Sequence, residues 1–197
     1  MKLIAHRVLD DHKYQENSIE GYKYCINKNY IDGLEIDVRL TKDNKFVVHH
    51  NFLNKFKIIS SSKYKELNNI PLLEDFLKIK HKKILLLDLK LESNNIKDYA
   101  QKLIKMLKRY KLNYYLCTFN YSLGKYLATN TDYKVGLFVT DIINKNKDYK
   151  LFDFVALSKN SYDDINFKTK MIWTINKPLK NKKYDFVITD KAYLLSK

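Results

Sequence analysis

The 197-residue chain reads as an α/β protein, a compact (β/α)8 TIM barrel with shortened later helices, and three observations carry that expectation. Short apolar runs rich in β-branched and aromatic residues recur eight times, with helical patterns between them. Several runs, Ile84-Leu85-Leu86-Leu87 above all, are apolar without a break, as parallel strands covered on both faces are. Polar side chains gather where the runs end: His6-Arg7, Glu35 and Asp37, Asp88 and Lys90, Thr118, Asn176, Asp190. An open doubly wound sheet is the structural alternative. The gathering of polar groups at strand ends favours a barrel, whose strands feed one mouth.

In order, strands are expected over 3–7, 33–40, 83–90, 113–120, 134–140, 152–157, 170–176 and 184–189. Helices are expected over 18–29, 72–80, 96–110 and 121–129, with shorter ones near Ile142, Tyr162 and Leu179 and a last one at Ala192. The third helix is the best supported, because Ile96, Ala100, Leu103, Met106 and Leu107 recur at helical spacing. A length of 197 residues is the lower limit for this fold, so several later crossovers must be single turns or loops. Proline occurs only at Pro71 and Pro178, and no Ser-rich or low-complexity linker interrupts the pattern, so 1–197 is expected to be one domain.

The opening MKLIAHR offers three apolar residues before a histidine, which predicts neither a signal-peptide core nor a membrane span. Cys25 and Cys117 fall in an expected helix and strand and make no disulfide framework, which favours a reducing, cytoplasmic setting. The net charge of +15 attracts anionic substrates. Lysine is spread from end to end, and arginine occurs only at Arg7, Arg39 and Arg109, which argues against a dedicated nucleic-acid surface.

The stretch GLEIDVRLTKDNKFVVHHN, 33–51, carries the chemistry. Glu35 and Asp37 lie two apart on an apolar strand, so both carboxylates point to one side. Two like charges on a buried sheet need neutralising, and a hard divalent cation does this through its preference for oxygen ligands. A second apolar strand, Phe46-Val47-Val48, runs into His49-His50, and His6-Arg7 ends the first strand. Carboxylates for metal, imidazoles for proton transfer and a guanidinium for phosphate together make a kit for cleaving a phosphodiester. His12 and His81 are read as surface residues, Asp190 as the cap of the last helix, and Tyr114, Tyr115 and Phe119 as packing.

These motifs resemble those of the glycerophosphodiester phosphodiesterases along the whole chain. His6-Arg7-Val8 and Glu16-Asn17-Ser18 are similar to the family's HRG and ENT. Residues 33–51 resemble its G-x-E-x-D core, Ile70 and Pro71 with the acids after them its helix start, and Asp88-Leu89-Lys90 its E-x-K strand. Trp173-Thr174-Ile175-Asn176 and Thr189-Asp190 look like its late W-T-V-N and T-D elements. The resemblance implies metal-dependent hydrolysis of a small glycerophosphodiester to glycerol 3-phosphate and an alcohol, with Mg2+ or Ca2+ as cofactor, in lipid and glycerol metabolism. It implies that His6 and His50 are the catalytic pair and that Glu35, Asp37 and Asp88 are metal ligands. Arg7, Lys90 and Trp173 would bind substrate, with Glu16 supporting them. Three residues depart from the pattern: Val8 for Gly, beside the phosphate site; Asn51 for the Asp after the second histidine; and Asp88 for a longer acid. They motivate an alternative, a catalytically impaired relative that binds a phosphodiester or a protein partner.

Overall fold

A computed structural model describes residues 1–92, 95–140, 148–160, 166–177 and 184–197. Among the described residues, eight parallel strands form a ring: β1 (Lys2–Ala5), β2 (Gly33–Leu40), β6 (Ile84–Leu89), β7 (Asn113–Thr118), β8 (Lys134–Val139), β9 (Phe154–Ser158), β10 (Lys170–Trp173) and β11 (Phe186–Thr189). Neighbours in sequence are neighbours in space, and β1 pairs with both β11 and β2, which closes the barrel. Three shorter strands lie outside the ring. β3 (Phe46–Val48) runs antiparallel to β2, and β4 (Leu53–Asn54) pairs with β5 (Lys57–Ile58) as a hairpin.

The helices are α1 (Ile19–Ile26), α2 (Leu73–Leu77), α3 (Ile96–Leu107), α4 (Tyr121–Asn130) and α5 (Ala192–Leu195). Three begin at side-chain caps: Ser18 Oγ accepts from Gly21 N, Asn95 Oδ1 from Asp98 N, and Asn120 Oδ1 from Leu123 N. The expected short helices near Ile142, Tyr162 and Leu179 lie outside the described residues. Between β8 and β11 the only helical element among the described residues is a 3-10 turn, Tyr149–Leu151.

The side chains of each strand alternate between two environments. On β2, Leu34, Ile36 and Val38 face outward into the layer under the helices, with the outward Leu85, Leu87 and Leu89 of β6 beside them. The opposite set fills the barrel: Ile4, Ile84, Leu86, Cys117, Phe138, Phe154, Ala156, Met171, Phe186 and Ile188. Continuing this inward series toward the strand C-termini changes its chemistry. Ile4 is followed by His6, Leu86 by Asp88 and Lys90, Cys117 by Phe119, and Ile188 by Asp190. The apolar plug is thus floor to a polar mouth.

Several expected boundaries move for local reasons. β1 stops at Ala5 because His6–Val8 form a 3-10 turn in which Arg7 and Val8 adopt φ 50° and 55°. Such values are uncommon for any residue with a Cβ and strained for a branched one. Val8 is not beside the phosphate site as expected; it is buried against α1, where its carbonyl accepts from Cys25 Sγ. β9 starts at Phe154 because Phe152 leaves the sheet to pack on Gly124. His81, expected at the surface, is half-buried: its Nε2 lies 2.6 Å from the hydroxyl of the buried Tyr22, which needs a partner there.

Gly136 faces Phe154 across β8 and β9, and a Cβ at Gly136 would stand 2.2 Å from the Phe154 ring. Gly136→Ala is expected to destabilise the barrel by about 1–3 kcal/mol, since a ring wedged in the plug cannot retreat. Urea unfolding measures this; an unchanged midpoint would show that the plug has slack.

Candidate active site

The inward residues at the strand ends surround one small cavity lined by His6, Arg7, Glu35, Asp37, His50, Asp88, Lys90, Phe119, Phe138, Trp173 and Ile188. Its floor is acidic. Register places Asp37 directly opposite Asp88, and Glu35 sits one inward step below Asp37. Each of these acids offers an oxygen within 4.8 Å of the others, and all three are buried.

Burial, with Asp37 and Asp88 nearby, pushes the Glu35 carboxyl well above the usual carboxylate range. Burial also pushes Asp88 up to about 6, against the pull of Lys90. Burial opposes ionisation of Asp37 as well, but Lys90, Asn17 and Arg7 outweigh it and hold that carboxyl below its ordinary value. Asp88 Oδ1 is buried without a hydrogen-bond partner among the described residues. A cluster of hard oxygen donors with one lone acceptor suits a divalent cation.

Two basic residues lean on this floor. The Lys90 ammonium bonds both acids across the β2–β6 register, Asp88 Oδ2 closely and Asp37 Oδ1 at 3.0 Å. Arg7 donates its backbone N–H to Glu35 Oε2 at 2.7 Å, which the strained His6–Val8 turn makes possible. Its side chain reaches Glu16 Oε2 at 2.9 Å and lies 3.4 Å from Asp37 Oδ2. Glu16 therefore orients Arg7 from the half-exposed side, while Asn17 ties down Asp37 by accepting from its backbone and donating to Oδ2 at 2.9 Å.

The two histidines of the cavity are anchored differently. His6 Nδ1 lies 2.7 Å from Asp190 Oδ1. Asn176 donates to the other oxygen of Asp190 at 2.7 Å and accepts from its backbone. The expectation that Asp190 caps the last helix is corrected: α5 starts from Lys191 without a side-chain cap, and the Asp190 carboxylate turns inward to His6. Partial burial opposes it, but the bonds from His6 and Asn176 hold Asp190 below its ordinary value. His50 has only an amide beside it, with Nδ1 3.1 Å from Asn51 Oδ1, and burial pushes its pKa below the ordinary value despite Asp37. His49 is absent from the cavity lining, and its Nε2 lies by the Leu53 carbonyl.

Aromatic rings form the remaining wall. Phe119 stacks on Phe138 at 4.8 Å, and Trp173 meets both edge-on. Phe119, read from sequence as packing, is 43% exposed at the mouth, with Lys90 Nζ 5.5 Å from its ring centre. Asn17, Asp190, Asn176, Phe119 and Phe138 are contributors to which the sequence reading gave no site role. Inward parity beyond each strand end was the available signal for Phe119 and Asp190. Arg39 is a further one: it donates to the His49 and His50 carbonyls and pairs with Glu92, which fixes the segment presenting His50. That pairing keeps Glu92 outside the acid cluster.

The closed (β/α)8 barrel thus carries an acid-and-imidazole mouth at the C-terminal ends of its strands. Residues 6–56, which carry His6, Arg7, Glu16, Glu35, Asp37 and His50, match the model of the glycerophosphoryl diester phosphodiesterase family. Among solved structures it is similar to a glycerophosphodiester phosphodiesterase from Parabacteroides distasonis, with 24% identity, TM-score 0.79, and 96% of this chain and 92% of that chain covered. A glycerophosphodiester phosphodiesterase from Thermotoga maritima gives 21% identity, TM-score 0.75, and coverage of 98% and 96%. A phosphodiesterase of Oleispira antarctica, in complex with the product sn-glycerol-3-phosphate, gives 18% identity, TM-score 0.80, and coverage of 100% and 96%. At these identities the likeness shows the fold. No curated protein matches the sequence.

Lys90→Met should leave Asp37 and Asp88 buried without their shared cation. It is expected to destabilise the metal-free protein by about 3 kcal/mol. Added Mg2+ or Ca2+ should raise the melting temperature of this variant more than that of the parent, because the ion replaces the lost charge. Thermal unfolding with and without the ion measures both effects. Equal responses in the two proteins would remove Lys90 as the internal counter-ion.

Proposed function

We propose that the chain, as one barrel domain, hydrolyses small glycerophosphodiesters to glycerol 3-phosphate and an alcohol. The observation that carries this reading is the pair of imidazoles. Each has one ring nitrogen engaged and one left for substrate, and both border a cavity floored by three carboxylates. His50 Nδ1 faces Asn51, so Nε2 is its free acceptor, and its depressed pKa keeps the ring neutral near pH 7. It takes the proton of the attacking hydroxyl as the new P–O bond forms; where that hydroxyl is the substrate's own glycerol rather than water, the resulting cyclic phosphate is then opened by water with the two imidazole roles reversed. His6, oriented through Nδ1 by Asp190, gives the Nε2 proton to the departing alkoxide as the old P–O bond breaks. Arg7 and Lys90 face the phosphoryl charge, and Trp173 with Phe119 forms a flat wall for the glycerol carbons.

Glu35, Asp37 and Asp88 would hold the divalent ion, Mg2+ or Ca2+. When bound, it polarises the phosphoryl oxygens. Cys25 and Cys117, both buried and unpaired, support a cytoplasmic setting. No described helix is long and apolar enough to cross a membrane. The impaired-relative reading is favoured by one observation, the Lys90 ammonium lodged between two of the three acids. Release of glycerol 3-phosphate from glycerophosphocholine, with and without chelator, separates the two.

His6→Ala and His50→Ala are each expected to lower kcat by ~10² to 10⁴, and His49→Ala to have little effect. Asp190→Asn should fall between them, as it weakens the hold on His6 without removing the ring. A dead His49→Ala beside an active His50→Ala would show that the wrong imidazole has been assigned.

Chelator should abolish turnover, and Asp88→Ala should raise the metal concentration needed to restore it. Asp88→Glu should not raise that requirement, since the longer side chain keeps an oxygen in the cluster. Metal titrations of activity on the three proteins measure this. Full activity in excess chelator would sink the metal assignment.

A further inference from the structure

The excursion between β3 and α2, residues 49–72, leaves the barrel beside the mouth and, among the described residues, carries the most exposed apolar side chains near it. Phe56 occupies the two-residue turn of the β4–β5 hairpin and is 98% exposed, with Lys55 before it at φ 53°. Phe52 is 55% and Ile58 46% exposed on the same hairpin and its approach. A tight turn needs no phenylalanine, because Gly, Asn and Asp serve it better. A ring held almost wholly in water at such a tip adds nothing to the core.

The charge around these side chains has one sign. Lys55, Lys57, Lys63 and Lys65 are all exposed, against the single acid Glu66, whose carboxylate accepts from Lys63 N. The neighbouring Asp43 lies between Lys42 and Lys45 and is turned onto Tyr64 N and Thr41. Apolar tips ringed by lysines match a surface with an anionic plane above an apolar layer, where each side chain finds its solvent at a different depth. The hairpin is also continuous with the mouth, since Phe52 borders one depression together with Arg39, Lys90 and Phe119. A second copy of the chain fits poorly, because two such faces repel and the chain already carries +15.

We propose that the β4–β5 hairpin is a peripheral docking surface for anionic phospholipid, with Phe56 entering the headgroup–acyl boundary and Lys55, Lys57, Lys63 and Lys65 on the phosphates. This surface lies on the membrane without spanning it and sets the barrel mouth against the lipid plane.

The test is co-sedimentation of the full chain with equimolar phosphatidylglycerol–phosphatidylcholine vesicles and with pure phosphatidylcholine vesicles. The parent is expected to pellet with the first, less so as salt rises, and not with the second. Phe56→Ser should weaken vesicle binding about tenfold, and Lys55→Gln or Lys57→Gln about fivefold each. Phe56→Trp should preserve binding. Phe56 touches nothing in the cavity, so Phe56→Ser should hydrolyse glycerophosphocholine without vesicles at the parent rate, which also shows that it is folded. The proposal is overturned if the parent stays in the supernatant with anionic vesicles, or if Phe56→Ser binds them as the parent does. It is equally overturned if Phe56→Ser converts a dimer to a monomer in vesicle-free sedimentation while vesicle binding is unchanged, because the occupant is then a second copy.

Discussion

Three carboxylates buried at one end of a barrel repel one another, and much of the surrounding structure answers that repulsion. Burial makes Glu35 and Asp88 hard to ionise, so charge at this floor survives only where something positive or donating faces it. Lys90 bridges Asp37 and Asp88, Asn17 holds Asp37, and the Arg7 backbone holds Glu35. The last contact explains why the chain tolerates positive φ at Arg7 and Val8: an ordinary extended continuation of β1 would not turn the Arg7 N–H onto β2. Strain at the first strand end is thus offset by a charge-assisted bond at the second.

The same constraint separates the roles of the two imidazoles. Both sit above the acids, yet only His6 has a carboxylate of its own, reached from the far side of the barrel through Asp190 and Asn176. β1 and β11 are neighbours only because the sheet closes, so this pairing of residues 184 positions apart depends on closure itself. His50 is reached by the opposite route. It comes from the short excursion after β3, and Arg39 with Glu92 clamps its backbone from the adjacent strand ends. Both histidines line the cavity, and the exposed hairpin starts three residues after His50.

Alternation along the strands organises all of this from simple means. Outward positions are aliphatic because helices cover them, and inward positions are aliphatic only as far as the plug extends. Above the plug the same parity delivers His6, Glu35, Asp37, Asp88 and Lys90 from β1, β2 and β6 to one cavity. The late part of the barrel contributes rings more than charges: Phe138 and Trp173 form the wall opposite the acids. The mouth therefore has a charged side and an aromatic side.

Much of this was legible in the chain. β2 and the start of β7 fall where periodicity put them, Asn95 and Asn120 cap where expected helices begin, and the clustering of polar residues at strand ends foretold a barrel. Local signals suffice there, because strand parity and capping act between near neighbours in sequence. The extent of β1 and β10, the half-burial of His81 and the packing of Val8 against α1 were not legible, because each follows from a contact with a distant element. The same holds for Asp190. Its sequence neighbours offer it a helix to cap, and only closure of the barrel brings His6 within 2.7 Å as a stronger partner. The sequence by itself determined which chemical groups the protein carries and on which face of each strand. The tertiary structure decided which of them meet, because the bonds that orient His6, Asp37 and Asp88 join strands whose spacing only the closed sheet sets.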